Sequence, residues 1–286
     1  MKLQHLLVPA LALLAAACAE HSPTTVGEPA PQQPGRMTFA YRCSASTQSG
    51  LVQCSDQPSL PPGVSADLIV GGGYVTLTSS NVAYNSGTGY FTFDVTVRNN
   101  MGQPIGTTDG STADANGIRV FFHSGPTVTA GTGTISVLAD GTGTFTASNQ
   151  PYYQYTTVLD SAEVSAAKTW TLVMPPTVQN FSFLLYVSAP VQYPQGWIDV
   201  TLNPTSVSPG GSPSTATAVV RAAVGTVITT GTVSWSSANT TNATVSPIDA
   251  RTASVYGQQG FAFVRIDASH TESGITRTGS AWLGVF

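Results

Sequence analysis

Apolar residues in this chain recur at every second position, in short runs broken by Gly, Pro and polar clusters. Residues 90–99 read YFTFDVTVRN, so Phe91, Phe93, Val95 and Val97 share one side while Thr92, Asp94, Thr96 and Arg98 share the other. That is the period of a half-buried strand. Phe181, Phe183, Leu185 and Val187 repeat the pattern. Further strand-like runs fall at 74–77, 118–122, 134–138, 143–147 and 169–174, and no segment keeps a helical period with caps. Asp140-Gly141 separates two of these runs and predicts a tight hairpin turn. Seven or more short strands with turn signals between them imply a β-sandwich over residues 66–192.

Charge is scarce. Asp, Glu, Lys and Arg make up 8% of the chain, against about 25% in an ordinary soluble domain. Ten basic against fourteen acidic residues leave no surplus to neutralise phosphates, which argues against a nucleic-acid partner. The outward strand positions are filled largely by Thr and Ser.

Residues 1–20 read MKLQHLLVPALALLAAACAE. Lys2 is followed by an apolar run from Leu6 to Ala17, too short to span a bilayer. Ala15, Ala16 and Ala17 then lead to Cys18. This resembles a bacterial lipoprotein signal, which implies cleavage before Cys18 and lipidation of its thiol. The match departs from the family pattern three residues before the Cys, where Ala15 stands in place of Leu. An ordinary secretory signal cut near Ala17 or Ala19 is the other reading. Residues 1–17 are thus a signal peptide and 18–36 a Pro-rich tether with almost no large apolar side chain. Such a stretch stays extended and reaches about 50 Å. Ala19 after the Cys points to the outer membrane or cell surface.

Cys43 and Cys54 remain. The alternation around Phe39 and Tyr41, the polar stretch Ser44–Gly50 and the pair Leu51-Val52 describe a hairpin, with a linker, over residues 37–65. A disulfide across it would stabilise the fold by about 2–3 kcal/mol and suits an oxidising compartment. The spacing is neither that of a redox Cys-x-x-Cys nor, without a nearby His, that of a zinc site.

The segment Pro190–Gly196, with two prolines and a glycine, marks a boundary. Beyond it, residues 193–286 carry seven strand-like runs, at 198–202, 215–223, 227–236, 243–246, 252–256, 261–268 and 275–285, the immunoglobulin-like count. The order of VTLNPTSV (200–207), Gly210-Gly211, VSWSSAN (233–239), ATVSP (243–247) and GFAFVRIDA (260–268) resembles the bacterial immunoglobulin-like domain, group 2. The match departs at Gly257–Gly260, where the family usually has Ala-Gly. The resemblance implies a spacer or adhesive module, with Trp235 filling the space between two sheets. The expected fold class is therefore all-β: two tandem β-sandwich (immunoglobulin-like) domains after a disulfide-closed hairpin.

Residues with catalytic chemistry are thinly spread. Of the histidines, His21 lies in the tether, His270 near a turn and His123 at a strand end. There is no Gly-x-Ser-x-Gly elbow and no His-Glu-x-x-His, and no cofactor is expected. Asp109, Asp114 and Asn116 lie in one polar loop and offer oxygen ligands for calcium, or caps for turns. Tyr152, Tyr153 and Tyr155 form the densest aromatic patch and suit stacking on sugar rings, or a core face. Lys168 is the one lysine beyond the signal; a covalent bond to an Asn is one use for it.

The expected function is that of a non-enzymatic exported lipoprotein, held to a membrane through its N-terminal lipid. Its domains would act as a stalk, adhesion or protein-interaction module toward an envelope protein or polysaccharide. The alternative is a carbohydrate or surface-ligand site in the first sandwich, with the second as spacer.

Overall fold

The computed structural model describes residues 35–56 and 73–286, and every helix or strand among them is a strand. Cys18, the signal peptide and most of the tether lie outside the described residues, as does the linker after the hairpin.

The first ten strands are β1 (Gly35–Ser46), β2 (Leu51–Asp56), β3 (Val75–Asn85), β4 (Tyr90–Asn99), β5 (Ile118–Gly131), β6 (Ser136–Leu138), β7 (Gly141–Gly143), β8 (Gln150–Tyr155), β9 (Lys168–Val173) and β10 (Val178–Val191). They form a six-stranded sheet, β2-β1-β10-β5-β8-β7, and a four-stranded sheet, β3-β4-β9-β6. The facing sides share one core, in which Phe91, Phe93, Val95 and Val97 of β4 meet Trp170, Phe181, Phe183 and Phe39. The alternation seen in the sequence thus sets which side of β4 is dry. Phe91 and Phe181 meet edge to face at 5.3 Å, a preferred aromatic geometry.

Three expectations for this half are corrected. The disulfide hairpin does not precede the sandwich. β1 lies beside β10 along all twelve of its residues, from Gly35↔Val191 to Ser46↔Asn180, so residues 35–56 belong to the six-stranded sheet. The buried side of β1 (Met37, Phe39, Tyr41, Cys43, Ala45) drives this, because it needs the apolar face of the opposite sheet. Asp140-Gly141 is not a hairpin turn either. β6 pairs with β9 and β7 with β8, so the dipeptide is a corner where the chain changes sheets. Asp140 fixes the corner: its Oδ2 accepts the Gln154 N–H at 2.8 Å and lies 2.7 Å from Lys168 Nζ. Finally, the run 143–147 is strand only at Gly143. The N–H groups of Thr146 and Ala147 donate to Gln150 Oε1 instead of to a ladder, and Phe145 folds back to stack on Phe121 at 4.1 Å.

The remaining strands are β11 (Trp197–Asn203), β12 (Ser206–Val207), β13 (Ser214–Arg221), β14 (Ser234–Ser237), β15 (Ala243–Pro247), β16 (Thr252–Gly257), β17 (Ala262–Glu272) and β18 (Ile275–Val285). They form two four-stranded sheets, β11-β13-β16-β15 and β12-β18-β17-β14. Trp235 packs against both groups of buried residues between these sheets. The expected strand at 227–236 shrinks to β14. Val227 only bridges Arg221 and the Ile228 N–H donates to Val220 O, while the carbonyls of Ile228 and Thr230 accept from the Arg251 guanidinium.

The two halves meet at a small polar clamp. Gln103, 3% exposed, donates from Nε2 to the carbonyls of Tyr193 (3.0 Å) and Ala223 (2.6 Å), and its Oε1 accepts the Tyr193 N–H at 3.0 Å. Beside it, Gly102 N–H donates to Val224 O at 2.9 Å. Gly225, at φ +94°, approaches so closely that a Cβ on it would lie 2.6 Å from Gly102 Cα. Only glycine meets both demands.

Candidate functional site

β17 and β18 pair along their whole length, with Ala262 opposite Val285 and Glu272 opposite Ile275. Alternation sends Val264, Ile266, Leu283 and Val285 into the core, each at most 1% exposed. The same alternation turns Phe263 and Trp282 outward, at 69% and 60% exposure. The register sets Phe263 opposite Gly284 and Arg265 opposite Trp282. Phe263 and Trp282 are therefore diagonal neighbours on one face, about 7–8 Å apart.

Gly284 completes the surface by having no side chain. A Cβ there would lie 2.4 Å from the Phe286 ring, which occupies that space. Phe286, half exposed, meets Phe263 edge to face at 5.4 Å. On the same face, Arg265 Nε donates to Asp267 Oδ1 at 2.8 Å and Nη2 to Oδ2 at 3.3 Å, so the adjoining charge is neutralised within the surface. Phe261, just before β17, is 91% exposed. The result is an aromatic face bordered by one closed ion pair. The aromatic side chains of this face can pack on a partner.

The residues singled out in the sequence have other surroundings. Cys43 and Cys54 sit directly opposite each other in the β1–β2 ladder and are joined by a disulfide. Tyr153 and Tyr155 are 2% and 6% exposed, which corrects the expectation that they contact a ligand. Alternation along β8 turns both into the core. Tyr155 donates to Val95 O at 3.0 Å and Tyr153 to Leu138 O at 2.9 Å. Burial pushes the Tyr153 hydroxyl up to about 12. Tyr152 is on the other side of β8, under the Arg119 guanidinium at 4.6 Å.

In the polar loop, Asp109 Oδ1 accepts the N–H groups of Ser111 (2.8 Å) and Thr112 (2.7 Å) and the Thr107 hydroxyl at 2.9 Å. These bonds, the Thr112 N–H foremost, hold its carboxyl well below the usual carboxylate range. Asp114 Oδ1 accepts the Asn116 N–H at 2.9 Å, and Asn116 Oδ1 accepts from Arg119 at 2.9 Å. These are the contacts of capped turns. Among the described residues no group of three or more His, Cys, Asp or Glu is placed to hold a metal.

His123 stacks flat on Tyr186 at 4.5 Å and its Nδ1 pairs with the Thr146 hydroxyl at 2.7 Å. Desolvation lowers its pKa. Lys168 pairs with Asp140 and donates to Gln154 O at 3.2 Å.

The aromatic face was missed in the sequence, although its signal is there. Residues 282–286 read WLGVF, with Trp282, Gly284 and Phe286 on one side and Leu283 and Val285 on the other. The chain matches no protein-family model, no curated protein and no solved structure.

Proposed function

We propose that this chain is a non-enzymatic exported lipoprotein, anchored through Cys18, that binds an envelope or cell-surface partner through its C-terminal half. In this reading both halves are immunoglobulin-like sandwiches, the second akin to bacterial immunoglobulin-like group 2. The observation that carries it is the aromatic face of Phe263, Trp282 and Phe286. Contiguous apolar patches on a soluble protein mark interaction sites. Aromatic residues and Arg are the types enriched where binding energy concentrates. Residues 197–286 carry four acidic side chains (Asp199, Asp249, Asp267, Glu272) and four Arg (221, 251, 265, 277), so no net charge steers them to phosphates or anionic lipid.

The test uses the mature chain with Cys18→Ser and purified envelopes of the source cell. Binding should fall at least tenfold in the double variant Phe263→Ser/Trp282→Ser, while the melting temperature stays near that of the parent. Undiminished binding by a folded double variant would refute this site. Separately, palmitate labelling should disappear in Cys18→Ala; labelling that persists would remove the anchor.

A further inference from the structure

A second site lies where the two halves meet. An open groove of about 800 Å³ runs between the Thr108–Asp109 loop of the first half and the seam of β11 and β18 in the second. Its size is that of a small-molecule or oligomer site. Trp197 and Tyr193 line it with rings 5.6 Å apart and inclined by 30°.

Both rings are held in place. Trp197 Nε1 donates to Asp199 Oδ1 at 2.8 Å, and Asp199 Oδ2 accepts from Arg221 Nε at 2.6 Å. Tyr193 is fixed on both sides of its backbone by Gln103. The ring pair is thus preorganised, which lowers the ordering cost of binding.

The neutral polar side chains of the lining are the opposite. Among the described residues, the side chains of Thr108, Gln192, Thr278 and Ser280 make no hydrogen bond with one another or with the rest of the chain. They offer hydroxyl and amide groups that both donate and accept. Among the described residues no Lys, Arg or His lines the groove. The Asp199 carboxylate is already used by Trp197 and Arg221, and Asp109 Oδ1 by its own turn.

From this lining we infer that the junction groove is a binding site for an uncharged saccharide chain. An anionic ligand would find no cation, and a cation would find its carboxylates largely taken. An apolar peptide would leave the amide and hydroxyls unmet, at the cost of buried unpaired groups. A saccharide presents an apolar C–H face to the electron-rich face of an aromatic ring and hydroxyls to neutral hydrogen-bonding groups. The groove's lining ends on β18 at Ser280, two residues or about 7 Å before Trp282, so the two sites are distinct.

The experiment titrates the mature chain carrying Cys18→Ser with neutral hexasaccharides: β-1,4-glucan, α-1,4-glucan, β-1,4-xylan, β-1,4-mannan and chitin types. Heat and tryptophan fluorescence are the readouts. At least one should bind, and Trp197→Ala should weaken it at least tenfold while Trp197→Phe restores much of it. Because Trp197 also bonds Asp199, Gln192→Ala and Ser280→Ala provide the second arm. Neither side chain supports the fold, and each should weaken binding several-fold with melting unchanged. Binding to none of the five at millimolar concentration, binding indifferent to Gln192→Ala and Ser280→Ala, or binding only to a peptide would each overturn the proposal. Phe263→Ser/Trp282→Ser tests the aromatic face separately, so one site can fail while the other stands.

Discussion

Replacing Gln103 by Ala should loosen the two halves from each other. The side chain is 3% exposed and makes three hydrogen bonds, at 2.6, 3.0 and 3.0 Å, to Ala223 and to both backbone groups of Tyr193. A net hydrogen bond contributes about 1 kcal/mol, and an orphaned buried partner costs about 1–3 kcal/mol. Tyr193 and Ala223 are only half buried, so water can reach part of what Gln103 leaves. The expected loss is therefore about 2–4 kcal/mol of coupling, below the full sum of three orphaned groups. Calorimetry should show the variant melting in two separated steps, with the parent's steps closer together or merged. Gln103→Glu tests the donor requirement: its carboxyl faces the carbonyls of Tyr193 and Ala223 and, with one O–H, can serve one of them, and that only when protonated. Its folded pKa is raised, so its stability is greatest below about pH 4.3, the unfolded value, and falls as pH rises through the folded pKa. A Gln103→Ala variant within about 0.5 kcal/mol of the parent, the usual range of an inert surface change, would refute the clamp.

Two further predictions concern the first half. The double variant Cys43→Ala/Cys54→Ala should lose about 2–3 kcal/mol in urea unfolding, the chain-entropy value for so short a loop, and an unchanged midpoint would contradict it. Asp109 holds its turn only as a carboxylate. Its folded pKa is depressed, so the order it gives to residues 107–112 is full above the unfolded value near pH 4 and is lost as pH falls further. The protection factors of the Ser111 and Thr112 amides, relative to their intrinsic exchange rates at each pH, should fall in acid, and protection unchanged down to pH 1 would contradict it.

Long half-buried strands were readable from period two, because burial of one side is a local property of the sequence, whereas the runs 143–147 and 227–236 were overread and β8 and β12 were missed. The limits of Tyr90–Asn99 fall at those of β4. Partner choice was not readable. The apolar side of residues 37–45 says that β1 needs a core, yet its neighbour β10 lies some 150 residues away and nothing local selects it. Asp140-Gly141 encodes a turn but not whether the flanking strands join one sheet or two. The tyrosines of β8 show the same limit from the other side: an aromatic dipeptide looks available until the opposite sheet covers Tyr153. The WLGVF face was local enough to read, but its outward side becomes evident only once Leu283 and Val285 meet the facing sheet.

The pairing of β1 with β10 has a mechanical consequence. Gly35 stands opposite Val191, so the chain enters the first half and leaves it at the same end. A Cβ on Gly35 would lie 3.1 Å from Pro194, which shows how close the two crossings are. Tension applied ahead of Gly35 and resisted by the C-terminal half would not stretch the first sandwich along its length. It would peel the β1–β10 ladder from Gly35 inward, loading its residue pairs in turn instead of in parallel. The Gln103 clamp shares that end and would be strained from the outset. The first half would hang beside the line of force, and such tension would be felt earliest at Gly35–Val191.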